Sequence, residues 1–219
     1  MSARNPEAAL KTTDLGALFG SIDIYLFDQL LRGRIAPGMR VLDAGCGGGR
    51  NLVFLLRGGY EVLALDPDAG AIEAVRALAV RLAPSHPDTS FRQEGVEACT
   101  FPDGCADVVL SIAVLHFARD EEHFLAKLRG TWRLLAPGGL FFCRLASSIG
   151  IADRVKPLGG RHYGLPDGTE RYLVDEAYLV ALTAELGGTL LDPIKTTVVS
   201  GQRAMTTWVV RKGREEEGA

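Results

Sequence analysis

Apolar positions along the chain follow two rhythms. Short runs such as Val41-Leu42, Val62-Leu63-Ala64-Leu65, Val108-Val109-Leu110 and Leu140-Phe141-Phe142 form one. The other is a three- and four-residue spacing: Ile72, Val75, Leu78, Ala79 and Leu82, then Phe124, Leu125, Leu128, Trp132 and Leu135. Short apolar runs are strands buried on both faces and the spaced sets are amphipathic helices, so their alternation predicts a parallel sheet covered on both sides. Strands are expected at residues 40–43, 61–65, 89–93, 107–111 and 140–144, with stops at Gly58-Gly59 and Pro137-Gly138-Gly139. Near the end, residues 196–199 and 206–210 are β-rich and split by Ser200-Gly201-Gln202-Arg203, which predicts an antiparallel hairpin. Before the first strand, residues 15–31 carry Phe19, Ile22, Tyr25, Leu26 and Phe27 and are expected as one apolar helix. Residues 146–172 hold five glycines and two prolines without a period, and are expected as a long loop, a functional lid.

The first strand runs into Asp43-Ala44-Gly45-Cys46-Gly47-Gly48-Gly49-Arg50. Gly45 and Gly47 lack the Cβ atoms that keep a ligand off the backbone, and loop N–H groups at a helix start suit a polar ligand. Asp66 ends the second strand about twenty residues on, where an acid holds a ribose diol. Together these positions indicate an adenosine-bearing cofactor.

Arg50 occupies the place of the third glycine in the dinucleotide fingerprint Gly-x-Gly-x-x-Gly, while Asp43 gives Asp-x-Gly-x-Gly. Downstream stand Phe101-Pro102-Asp103-Gly104 with Ala106-Asp107-Val108-Val109, Ser111-Ile112-Ala113-Val114-Leu115-His116, and Leu134-Leu135-Ala136-Pro137-Gly138-Gly139-Leu140. In order and spacing, over residues 35–145, these motifs resemble those of the class I S-adenosylmethionine (SAM)-dependent methyltransferases. The resemblance implies an α/β, Rossmann-like doubly wound fold, with a mainly parallel seven-stranded sheet and an antiparallel C-terminal hairpin strand. It implies SAM as cofactor and S-adenosylhomocysteine as product. Asp43, Gly45, Cys46, Gly47 and Arg50 would meet the methionine end, and Asp66 with Pro67 the ribose. Gly95, Val96 and Glu97 would flank the adenine, and Ser111, Ile112 and His116 would complete the site. The family's usual adenine-binding acid falls on Gly95, with Glu94 and Glu97 beside it. His116 is the candidate general base, because histidine accepts a proton near neutral pH. The implied layout is an N-terminal helical segment, 1–34, covering the cofactor; a SAM-binding domain, 35–213, with the lid 146–172; and a flexible tail, 214–219.

Charge narrows the acceptor. The formal net charge is −3, which gives no general attraction to nucleic acid, yet residues 144–172 are locally cationic. Tyr25, Arg144, Arg161, His162 and Arg171 are therefore candidate substrate contacts for a small anionic or phenolic acceptor. Ser111-Ile112-Ala113-Val114 stands where amino-group DNA methyltransferases carry an Asn-Pro-Pro-Tyr-type motif, so a nucleic-acid substrate is not expected. His86 and His123 read as surface positions. Cys46, Cys99, Cys105 and Cys143 lack the spacing of zinc ligands, and no metal is expected. Without an apolar leader or an 18-residue apolar run, the chain reads as cytoplasmic and not membrane-bound. Two alternatives to a small-molecule methyltransferase stay open: a non-catalytic SAM-binding regulator, and a nicotinamide-dependent oxidoreductase, which Arg50 and the hairpin disfavour.

Overall fold

A computed structural model describes residues 14–214. In chain order the elements are α1 (Leu15–Phe19), α2 (Ile24–Leu31), β1 (Arg40–Ala44), α3 (Val53–Arg57), β2 (Glu61–Leu65), α4 (Ala69–Leu82), β3 (Phe91–Arg92), β4 (Ala106–Ile112) and α5 (Glu121–Arg133). There follow β5 (Leu135–Ala146), β6 (Lys156–Gly159), β7 (His162–Gly164), β8 (Glu170–Tyr172), α6 (Glu176–Glu185), β9 (Gly188–Leu190), β10 (Lys195–Val199) and β11 (Arg203–Lys212).

Strands β3-β2-β1-β4-β5 lie side by side and parallel. Next to β5 comes β11, antiparallel to it, with β10 beyond and the short β9 also on β11. The expected terminal hairpin is the pair β10–β11, and its turn places Ser200 and Gly201 at φ 51° and 64°. Side chains alternate across the sheet as the period of two requires. Val41, Val108, Leu110 and Phe142 face one core, which α4 closes with Ile72, Val75 and Leu78; Leu42, Val109, Phe141 and Trp208 face the other, beneath α5 and α6. Helices α2, α4, α5 and α6 each start at an aspartate, Asp23, Asp68, Asp120 and Asp175, whose carboxylate accepts a first-turn N–H at 2.8–3.0 Å. Such caps contribute about 1 kcal/mol each. From β1 the chain moves outward to β2 and β3, then returns to β4 on the opposite side of β1. The C-terminal ends of β1 and β4 therefore flank the topological switch point at which open α/β sheets bind ligands.

The apolar stretch 15–31 is two helices rather than one. Gly20 at φ +63° ends α1, and Asp23 caps α2. The segment expected as a loop, 146–172, contains the three-stranded antiparallel sheet β6-β7-β8, whose β6–β7 turn runs through Gly159 and Gly160 at φ 137° and 54°. The expected strand 89–93 shrinks to Phe91–Arg92 because a 3-10 turn, Asp88–Ser90, precedes it. Neither histidine expected at the surface is fully exposed. His86 stacks on Phe91 and meets the Val62 carbonyl at 2.7 Å, and His123 lies 3.4 Å from Glu97. Residues 1–13 of the expected N-terminal segment and 215–219 of the expected tail lie outside the described residues. Among those described, no helix is long and apolar enough to cross a membrane.

Candidate active site

The glycine loop after β1 is built as its sequence requires, with one difference. Gly45 sits at φ +85°, and a Cβ there would collide with the Val114 side chain; Gly47 sits at φ +50°. The difference lies in the N–H groups. Gly45 and Cys46 both donate to the Leu65 carbonyl, at 2.8 and 3.1 Å, and Gly47 donates to Asp66 Oδ2 at 2.9 Å. The next helix, α3, starts only at Val53. The N–H groups of Gly45, Cys46 and Gly47 are therefore engaged within the protein and do not sit at a helix start as expected.

Asp43 is buried at 1% exposure, and both its carboxylate oxygens lack a hydrogen-bond partner among the described residues. Burial pushes its pKa up to about 7; the nearby Asp66 charge acts in the same direction, and the Arg50 charge and the Asn51 side chain beside it oppose the rise. Asp66 is half-buried, with Oδ1 accepting the Asp68 N–H at 3.0 Å. Arg50 is exposed and leans toward the N-terminal segment, 3.8 Å from the buried carboxylate of Asp23. Gly95 and Val96 lead into a 3-10 turn past β3, with Val96 in the core. Glu97 turns its carboxylate to His123 and Lys127 of α5, at 3.4 and 3.8 Å, and Glu94 is held by Thr100. Cys46, Ser111 and Ile112 are buried, the Ser111 hydroxyl without a hydrogen-bond partner among the described residues, while Pro67 is exposed beyond β2.

Beyond β4 the backbone bends at Ala113, a non-glycine residue held at φ +61°. Strain of this kind persists only where surrounding structure enforces it; here the Ala113 N–H is fixed to the Arg144 carbonyl at 2.8 Å. The bend puts Val114 against Gly45, while Ala113 and His116 face a cavity of about 310 Å³ on the other side. Arg144, Arg171 and Arg203 border that cavity, together with Leu165, Asp167 and Met205. His116 is buried, its Nδ1 accepts the Ala146 N–H at 3.0 Å, and burial with the Arg171 charge lowers its pKa to about 4. The ring is thus neutral with its proton on Nε2, and it offers the cavity a donor in place of the proton acceptor expected from sequence.

Of the other substrate candidates, Arg144 and Arg171 reach the cavity and Arg161 and His162 do not. Arg161 pairs with Asp175 at 2.9 Å and lies over the Tyr178 ring, and His162 donates to the Ala118 carbonyl at 2.7 Å. Tyr25 hydrogen-bonds Thr197 of the cavity wall at 2.6 Å, with the Arg144 guanidinium 4.9 Å from its ring centre. Sequence reasoning missed Asp23, whose carboxylate bonds Arg144 and lies near Arg50, and whose N–H donates to Asn51 at 3.0 Å. It also missed Arg203. An aspartate just before the apolar run of α2 was a readable cap signal, whereas nothing local to Arg203 marks its place in the cavity wall.

Residues 42–143 match a family model described as a methyltransferase domain. Over 171 residues the chain is 30% identical to a ubiquinone biosynthesis O-methyltransferase of Chelativorans sp. (strain BNC1), an alignment covering 72% of this chain and 64% of that protein. Residues 42–143 are a methyltransferase domain of the class I SAM-dependent type, in a chain that spans just under two thirds of the length of the curated relatives it matches. Solved structures share this methyltransferase fold. A SAM-dependent methyltransferase of Methanosarcina mazei superposes with a TM-score of 0.67 at 19% identity, covering 85% of this chain and 98% of that one. The 1,6-didemethyltoxoflavin-N1-methyltransferase of Burkholderia thailandensis, solved with its acceptor and S-adenosylhomocysteine, gives 0.66 at 20% identity over 91% and 81%. Gly95 stands where the sequence resemblance places an acid, and the nearby Glu94 and Glu97 are engaged within the protein, by Thr100 and by His123 with Lys127.

Proposed function

We propose that this methyltransferase binds SAM at the glycine loop and transfers its methyl group to an oxygen of a small-molecule acceptor, anionic or phenolic, held in the adjoining cavity. The observation that carries the reading is the shared wall at residues 113–116. Val114 packs on the cofactor loop, and Ala113 and His116 face the cavity. Oxygen as the acceptor atom is supported by the O-methyltransferase relatives.

When bound, SAM supplies a methyl group on a sulfonium, which passes in line to the acceptor and leaves a neutral thioether. The residues present fit that cofactor. The unpartnered Asp43 carboxylate answers an ammonium group, Gly45 and Gly47 permit close approach, and Arg50 balances a carboxylate. Asp66, using lone pairs not taken by Gly47 and Asp68, accepts from a ribose diol; Gly95 and Val96 flank the base, and Ser111 and Ile112 close the floor. In the same reading, residues 14–34 cover the cofactor, α1 stacking Phe19 on Phe54 at 5.1 Å. His116 donates its Nε2–H to the acceptor oxygen and holds it in place. The cavity arginines lower the cost of a deprotonated nucleophile, whose proton leaves to solvent.

Calorimetric titration with SAM, S-adenosylhomocysteine and NAD tests the cofactor assignment. The first two should bind and NAD should not. NAD binding without SAM binding would make the chain an oxidoreductase. SAM binding with no S-adenosylhomocysteine formed across a panel of phenols and hydroxy acids would leave a regulator.

A further inference from the structure

Methylating an oxygen needs an aligned nucleophile, and one cation beside it is enough to ease its deprotonation. The cavity has three. Arg144 at the end of β5, Arg171 in β8 and Arg203 at the start of β11 converge on it from three separate elements. Two carboxylates oppose them. Asp23 bonds Arg144 but is shared with Arg50, and Asp167 is engaged by the Thr169 N–H and hydroxyl at 3.0 and 2.6 Å. Positive charge therefore exceeds negative around this space. The rest of the wall is mainly apolar, with Ala113, Leu165 and Met205 among it, and carries three polar side chains, His116, Thr169 and Thr197. Benzene fills a cavity of about 150 Å³, so the 310 Å³ here suits a body of one or two rings.

We infer that the acceptor carries, apart from the atom that is methylated, a carboxylate group seated among Arg144, Arg171 and Arg203, on a compact apolar body. The inference rests on the methyltransferase reading and names the substrate class of the same site. Arg171 and Arg203 are then specificity-determining residues. Arg171 lies 4.8 Å from the Phe117 ring centre and donates to the Glu170 carbonyl at 2.6 Å, and Arg203 borders the cavity from the hairpin.

The test uses the full chain saturated with S-adenosylhomocysteine and two probes of the same shape, benzoate and benzamide, followed by calorimetry. Benzoate should bind at least tenfold more tightly than benzamide. Arg171→Gln and Arg203→Gln should each remove most of that preference, leaving benzamide binding and S-adenosylhomocysteine affinity unchanged. Both positions lie outside the buried Asp23 pair, and a melting curve for each variant confirms that it folds. Equal binding of the two probes, no benzoate binding, or a preference that survives both substitutions overturns the carboxylate seat while leaving the cofactor assignment standing. Failure of the unaltered chain to bind S-adenosylhomocysteine overturns the methyltransferase reading and the inference with it.

Discussion

With its pKa raised to about 7, Asp43 is roughly half-protonated at neutral pH in the ligand-free protein. Folding has raised the pKa of an acid. The stabilisation this brings is therefore complete below the unfolded value near 3.8 and is lost as pH rises through about 7. Asp43→Asn should stabilise the ligand-free protein at pH 8, on the order of 2 kcal/mol by denaturant titration, and at the same time weaken SAM. A cationic ligand group selects the ionised carboxylate but itself deprotonates near pH 8, so SAM affinity should rise about fivefold from pH 6 to about 7.5 and level off above, and Asp43→Asn should flatten that rise. Asp66→Ala should cost about 1.5–3 kcal/mol of SAM binding, the range for a hydrogen bond to a charged group, read by titration at constant pH. His116 is the opposite case. Its lowered pKa keeps it neutral through the physiological range, so turnover should show no inflection near 6.5 that His116→Asn removes. Asp43, Gly45 and Asp66 were legible in the sequence because a strand–loop–strand turn is local and needs glycine and acid at fixed offsets. The destinations of Arg50, Arg161 and His162 were not. Each is decided by a partner on another element, Asp23, Asp175 and Ala118 respectively.

The break between α1 and α2 shows how one residue overrides an apolar pattern. A Cβ at Gly20 would lie 2.8 Å from Val53 Cγ2, in a backbone region that side chains rarely adopt. Gly20→Ala should destabilise the protein by about 1–2 kcal/mol, visible as a lower urea midpoint. A chain beginning at Ile35 lacks the Asp23 carboxylate and the Phe19–Phe54 stack, and should lose SAM affinity even where it folds. Retained affinity would show that α1 and α2 are accessory to the cofactor site. Helices α4 and α5 were readable because their apolar faces repeat over three or more turns. The sheet β6-β7-β8 was not, since strands of three and four residues, mostly exposed, carry no alternation and exist through pairing with one another.

For the molecule as a whole, a ligand that binds only the folded state raises stability by mass action, about 2.7 kcal/mol at 100 times its Kd. In a domain of this size that corresponds to roughly 5–10 °C in Tm. S-adenosylhomocysteine should produce a shift of that order in a thermal melt, and NAD should produce none. The parallel sheet with both faces covered could be read from the alternation of strand and helix patterns, and the switch point followed from it; the acceptor cavity could not, because its walls are brought together from residues 113 to 205. That separation bears on how new specificities arise. On the proposed cofactor placement the donor half of the site is encoded before residue 117, whereas the opposite wall comes from the small sheet and the hairpin, so a change in the far wall leaves the proposed donor contacts in place. One joint limits the freedom. Asp23 and Arg144 tie the two halves together, and any graft that swaps the far wall inherits the obligation to keep that pair.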